Sequence, residues 1–229
     1  MDLGLEILYE DGPCLVVCKP PGLPTQAPPG IESLEVRIKA FLKERDAPPH
    51  EVYLGVPHRL DRPASGAIIF AMRRRAAQKL ARQFEHREIR KLYWALVEKE
   101  PDPPAGTWQD CLRKVYGKPQ AEVVAADHPE GRLAVLHYRT LASTRWGAWL
   151  EIELETGRTH QIRIQAASRG HPVLGDFQYG STVPFGPQHA DERLRAIALH
   201  ARMIEFRHPT SKELVSVTAP TPEFWPHAE

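Results

Sequence analysis

Asp61 lies in the stretch His58-Arg59-Leu60-Asp61-Arg62-Pro63-Ala64-Ser65-Gly66, directly ahead of the apolar run Ala67-Ile68-Ile69-Phe70-Ala71. That run is short, β-branched and aromatic, the pattern of a buried strand. Pro63 brings no N–H to a ladder and Gly66 signals a turn, so a tight loop is expected before the strand. An aspartate in such a loop is carried on a rigid element, and guanidinium groups at Arg59 and Arg62 favour its ionised form. This suits a nucleophile or an electrostatic anchor better than a general acid.

Two further stretches bring chemistry-bearing groups together. In residues 90–97 the alternation of a strand sets Leu92, Trp94 and Leu96 on one face and Lys91, Tyr93 and Ala95 on the other. A lysine and a small residue beside Tyr93 leave space over its ring. In Thr156-Gly157-Arg158-Thr159-His160-Gln161-Ile162-Arg163 a strand is expected to give way at Thr156-Gly157 to a helix that Gly170 ends. His160 and Arg163, three apart, would share a face of that helix. Its N-terminal dipole, with Arg158 and Arg163, is suited to holding a carboxylate. Asp176 reads as a turn residue or a supporting one.

The elements that must position these groups are legible from the same patterns. Residues 7–24 read as two strands around Asp11-Gly12, followed by an extended Lys19-Pro20-Pro21-Gly22-Leu23-Pro24 loop. Residues 33–45 place Leu34, Ile38, Phe41 and Leu42 in one helical stripe. A second helix over 74–88 carries Ala77, Leu80, Ala81 and Phe84 on its apolar face. Residues 100–106 are rich in proline and are the expected seam if the single domain over 1–229 has two lobes. Beyond them, segments 106–112, 121–126, 133–143 and 149–154 alternate between turn signals, as in an antiparallel sheet. The proline-rich tail after Ala219 is expected to lie loosely on the surface. The fold class is α+β.

The chain has 229 residues, 42% hydrophobic and 26% charged, which are ordinary globular values with enough length for a sizeable core. Net charge is only +1. Its distribution says more: between Arg59 and Lys91 there are ten basic residues against three acidic, a local excess of seven suited to phosphates. Cys14, Cys18 and Cys111 read as reduced core thiols, and no cluster has the spacing of a metal site. No apolar stretch approaches a membrane span, and the first residues lack the basic and apolar regions of a secretory signal. A cytoplasmic location is therefore expected.

The run His-Arg-Leu-Asp-Arg-Pro-x-Ser-Gly before an apolar strand resembles the signature of the RluA-type RNA pseudouridine synthases. Three other stretches resemble that family's motifs in order: the Lys19-Pro20-Pro21-Gly22 loop, Lys91-x-Tyr93-x-Ala95-Leu96-Val97, and Thr156-Gly157-Arg158-Thr159-His160-Gln161-Ile162-Arg163. The loop His171-Pro172-Val173-Leu174-Gly175-Asp176 continues the match, and the resemblance runs from about Ile7 to Trp225. Ala64 stands where relatives usually have threonine.

The resemblance implies the pseudouridine synthase fold, a mixed and largely antiparallel sheet with flanking helices and a central catalytic cleft. It implies isomerisation of uridine in ribosomal or transfer RNA, with Asp61, Tyr93 and Arg163 as catalytic residues. Asp61 would attack C1′ or take a proton to give a glycal-like intermediate, and the sequence leaves both routes open. Arg163 would pair with Asp61, and Tyr93 would stack on the uracil. His58, Arg59, Arg62, Arg158 and His160 would contact RNA. No metal, no small-molecule cofactor and no membrane is expected, and the protein is expected to be a monomer. Many relatives carry an S4-like module ahead of this region; with six residues before Ile7, none is expected here. The alternatives are a catalytically silent RNA-binding domain and a nucleoside or glycosidic hydrolase.

Overall fold

A computed structural model describes residues 4–47 and 49–226. Strands β1 (Glu6–Asp11), β2 (Cys14–Lys19) and helix α1 (Leu34–Asp46) come first, followed by β3 (Ser65–Ala71), α2 (Arg74–Glu85) and β4 (Arg90–Glu98). Then come β5 (Ala105–Lys114), β6 (Ala121–Val124), β7 (Arg132–Ser143), β8 (Gly147–Leu154), α3 (Gln161–Ala167), β9 (Leu199–Arg207) and β10 (Leu214–Thr218). The chain divides into two compact units. One runs to Lys91 and takes in Ala201–Pro222; the other is Leu92–His200 with the segment from Glu223. The proline-rich stretch 100–106 is therefore no seam: it joins β4 to β5 inside the second unit.

In the first unit β1 and β2 form the expected hairpin, with Gly12 at φ +50 in its turn. β2 runs antiparallel to β3 from Cys14 opposite Ala71 to Lys19 opposite Gly66, and β10 runs antiparallel to β9. Every residue of β3 is buried. Gly66 belongs to this strand and not to a turn. It has φ +114, and a Cβ there would stand 2.3 Å from the Ala201 carbonyl oxygen, so glycine is required by close backbone approach. Val16, Ile69, Leu80, Ile204, Phe206 and Val217 form the core of this unit.

Helix α1 is capped by Ser33, whose side chain accepts from the Val36 N–H, and it buries Leu34, Ile38 and Leu42. Helix α2 turns most of the stripe read above inward: Leu80 is buried and Ala77 and Phe84 pack half-buried against the core, whereas Ala81 is exposed and Ala76 and Gln83 are buried in its stead. Gln83 is the unexpected member. Its amide donates to the Arg207 carbonyl at 2.8 Å and accepts the Arg207 N–H at 2.9 Å, which satisfies it inside the protein.

In the second unit the strand order is β4-β8-β7-β5-β6, antiparallel throughout. Helix α3 is tied to this sheet by two buried glutamines one turn apart. Gln161 donates to Val135 and Gln165 to Trp108 and Ala134, all backbone carbonyls. The segment after Ala219 is not loose throughout: Trp225 is buried against Trp149, Phe185 and His200. Among the described residues no helix is long and apolar enough to cross a membrane.

Candidate active site

Asp61 opens a four-residue turn closed by the Ala64 N–H on the Asp61 carbonyl at 3.1 Å. Its two neighbours are both fastened to the loop after β2. On one side, the Thr25 hydroxyl donates to the Leu60 carbonyl at 3.0 Å and accepts the Leu60 N–H at 3.1 Å. On the other, the Gly22 N–H and the Lys19 ammonium both donate to the Arg62 carbonyl, and Arg62 Nε donates back to the Gly22 carbonyl. Leu60 and Arg62 are thus held in place, and the backbone of Asp61 has little freedom left. Asp61 as a whole is partly exposed.

Lys19 is the pin of this arrangement. It has no accessible surface, and its Nζ reaches three backbone carbonyls, of Pro20 at 2.8 Å, Leu23 at 2.7 Å and Arg62 at 3.1 Å. Three acceptors match the three donors of an ammonium. Burial pushes its pKa down to about 7, against the opposing pull of the Asp61 carboxylate. The sequence showed Lys19 only as a member of a resembling loop. A lysine between a strand and two prolines carries no sign that it will be buried.

His58, Arg59 and Arg62 sit in three different settings. Arg59 is exposed, while Arg62 is partly buried and bonded to Gly22 as described. The His58 ring stacks on Phe84 with centroids 4.5 Å apart, and its Nε2 accepts the Ile69 N–H at 3.1 Å. An imidazole whose Nε2 already accepts an N–H stays neutral; burial, with Lys91 adding to it, drives its pKa down to about 3. Beyond this turn, Arg73, Arg74 and Arg75 at the start of α2 are all exposed, with no acidic residue in the first turn.

In the second unit Tyr93 lies on β4 opposite Ile152 of β8 and is 8% exposed. Trp94, on the other face, meets Trp149 edge-on with ring centroids 5.1 Å apart.

Arg163 is buried on α3 and forms a bidentate pair with Asp176, Nε to Oδ2 at 2.6 Å and Nη2 to Oδ1 at 2.8 Å. The two side chains are 3% and 1% exposed. Nη2 also donates to Gln178 Oε1 at 2.8 Å, and the guanidinium carbon stands 4.9 Å over the Tyr179 ring. Asp176, Gln178 and Tyr179 belong to one short segment around a 3-10 turn at Phe177–Tyr179. Asp176 is therefore the support for Arg163 as well as a turn residue.

The helix carrying Arg163 begins later than its sequence suggests. His160 takes a left-handed conformation, φ +52, and only Gln161–Ala167 are helical; Gly170 closes the turn beyond them. His160 and Arg163 consequently do not share one face of a helix. The Gln161 side chain replaces the expected first turn: its Oε1 accepts from the Thr156 hydroxyl at 2.7 Å and the Arg158 N–H at 3.0 Å. His160 Nδ1 lies 2.9 Å from the Tyr179 hydroxyl, and exposed Arg158 donates through Nε to the Leu133 carbonyl.

A family model described as RNA pseudouridylate synthase matches residues 13–168. The chain is 34% identical over 223 residues to an uncharacterized RNA pseudouridine synthase of Synechocystis, covering 96% of this chain and 67% of that protein. It is 36% identical over 230 residues to ribosomal large subunit pseudouridine synthase D of Xanthomonas campestris, covering 97% and 67%. Among solved structures, human RNA pseudouridylate synthase domain containing 4 superposes with TM-score 0.78 at 24% identity, over 96% of this chain and 89% of that one. The α+β fold expected from the sequence is the one these proteins share.

Proposed function

The chain belongs to the RNA pseudouridylate synthase family, isomerases that act on RNA, and we propose that Asp61 is the carboxylate with which it converts uridine to pseudouridine. The reaction breaks N1–C1′, joins C5 to C1′, and moves a proton from C5 to N1, so it is redox-neutral. The observation that carries the assignment is the fastening of Leu60 and Arg62 by Thr25, Gly22 and Lys19. A nucleophile must be held near its attack geometry, because pre-organisation removes much of the entropic part of the barrier. Attack on C1′ and proton removal toward a glycal both require the ionised carboxylate in that place.

Tyr93 and Arg163 complete the reading. Arg163, fixed by Asp176 and Gln178, serves as the guanidinium that keeps Asp61 charged and oriented. Tyr93 supplies the ring for the uracil and a hydroxyl for the C5 proton. Reaching C1′ in structured RNA requires the nucleotide to be flipped out. His58, Arg59, Arg62, Arg158 and His160 line its path, with His58 contributing as a neutral ring. The exposed arginines at the start of α2 take phosphates: three guanidinium groups at the positive end of a helix disfavour one another, and an anion relieves that. Ribosomal RNA is the favoured substrate, in line with the names of two relatives. The protein acts as a monomer in the cytoplasm.

The test is Asp61→Asn, which keeps the shape and removes only the ionised oxygen. RNA from cells lacking the gene is incubated with each form and scored for pseudouridine. Turnover is expected to vanish while RNA binding and the melting temperature hold. Pseudouridine formed at a substantial rate by the variant would remove Asp61 from the mechanism.

A further inference from the structure

Tyr116 is 100% exposed, at the tip of the β5–β6 hairpin. A tyrosine normally contributes to a protein by burying its ring, and this one buries none of it. The turn does not need it. Lys118 N–H on the Val115 carbonyl at 3.3 Å closes the tip, and Gly117 at φ +71 supplies the conformation that such a turn demands. Lys114 and Lys118, on either side, are exposed as well. The nearest acidic side chain along β6, Glu122, is occupied by Arg113 Nε at 2.8 Å. The tip thus presents one aromatic ring between two cations.

This tip is joined to the segment that holds Arg163. Gln178 Nε2 donates to the Pro119 carbonyl at 2.9 Å, and the Ala121 N–H donates to the Tyr179 hydroxyl at 2.8 Å. Gln178 and Tyr179 are also two of the groups that contact Arg163. Two bonds therefore fasten the root of the tip to residues that touch the Arg163 guanidinium, all within the second unit.

We infer that the tip of the β5–β6 hairpin is an RNA-contacting element, in which Tyr116 stacks on an unpaired base of the substrate while Lys114 and Lys118 meet its phosphates. Base stacking on an exposed aromatic is tolerant of sequence, so this contact adds affinity and register without choosing the uridine. The inference rests on the reading that the protein acts on RNA and deepens it by naming a surface outside the residues assigned above.

The experiment compares the wild type with Tyr116→Ala, Tyr116→Phe and a Lys114→Ala/Lys118→Ala double variant. Initial rates of pseudouridine formation are measured against the concentration of unfractionated ribosomal and transfer RNA, and binding is measured with a dye-labelled stem-loop RNA. The Ala variant is expected to raise the apparent KM and the probe Kd about tenfold, with the rate at saturation within twofold. The Phe variant should match the wild type. The double variant should flatten the dependence of log Kd on log salt by about 1.4, the value for two phosphate contacts on single-stranded RNA. Full exposure of Tyr116 means that each variant should melt with the wild type. An unchanged KM and Kd for Tyr116→Ala overturns the inference, including the case in which the ring docks on a protein. A Phe variant as weak as Ala overturns stacking. A wild type that makes no pseudouridine would instead strike the functional reading, and the stem-loop measurements would still decide the hairpin.

Discussion

Asp176→Asn probes the support beneath Arg163 without touching Arg163 itself. Asparagine keeps the shape but turns one acceptor oxygen into an amide that faces guanidinium N–H groups. The pair it breaks is 3% and 1% exposed and bidentate at 2.6 and 2.8 Å, so the guanidinium, in a dry site, loses the carboxylate that holds two of its nitrogens. Breaking a buried pair by removing one partner costs about 3–5 kcal/mol. Gln178 Oε1 and the Tyr179 ring still hold the guanidinium, which places this case near the low end, about 3 kcal/mol. For a protein of this size that corresponds to a fall in melting temperature of about 6–12 °C. The assay is thermal and urea unfolding of the wild type, Asp176→Asn, Arg163→Met and the double variant, which forms a cycle. A coupling of at least about 2 kcal/mol is expected between the two sites. Turnover of folded Asp176→Asn should fall alongside, at unchanged RNA affinity. A coupling near zero would refute the claim that Asp176 holds Arg163.

Tyr93→Phe should bind RNA almost normally but turn over poorly, whereas Tyr93→Ala should lose both; full activity in the Phe variant would leave Tyr93 a stacking residue only. Replacing Arg73, Arg74 and Arg75 by glutamine should flatten the salt dependence of RNA binding by about 2 if each meets a phosphate; an unchanged slope would assign them to solvent alone. His58 makes stability depend on pH. The native imidazole is neutral down to about pH 3, whereas the unfolded one takes up a proton near 6.5, so stability should be lost as pH falls from about 6.5 toward 3, by up to about 1.4 kcal/mol per unit. Measured as a difference, His58→Gln should lack this slope, and parallel curves would contradict the neutral assignment.

The parts of the site that were legible in the sequence are those set by local rules. A proline ahead of a β-branched run gave the turn bearing Asp61, and alternation gave the strand bearing Tyr93. What escaped reading depends on partners far along the chain. Lys19 became the pin of the Asp61 turn because the Arg62 carbonyl, 43 positions away, folds back over it. Gln83 entered the α2 interior because of Arg207, and no helical period anticipates that. Gly66 looked like punctuation, yet it is needed where Ala201 crosses its strand. Asp176 is legible as a turn or supporting residue, but that the group it supports is Arg163, 13 positions earlier, depends on the fold.

The first unit closes its core with residues made much later than the rest of it. Val16, Ile69 and Leu80 pack with Ile204, Phe206 and Val217, and the whole stretch Leu92–His200 intervenes. On the ribosome, a chain that has already exposed Asp61 must wait for roughly 140 more residues, about 7–28 s of synthesis, before the missing strands can be added. The carboxylate is thus translated early and made rigid late. A nascent or prematurely ended chain carries the residue but lacks the scaffold that would let it react with the RNA surrounding it at its place of birth.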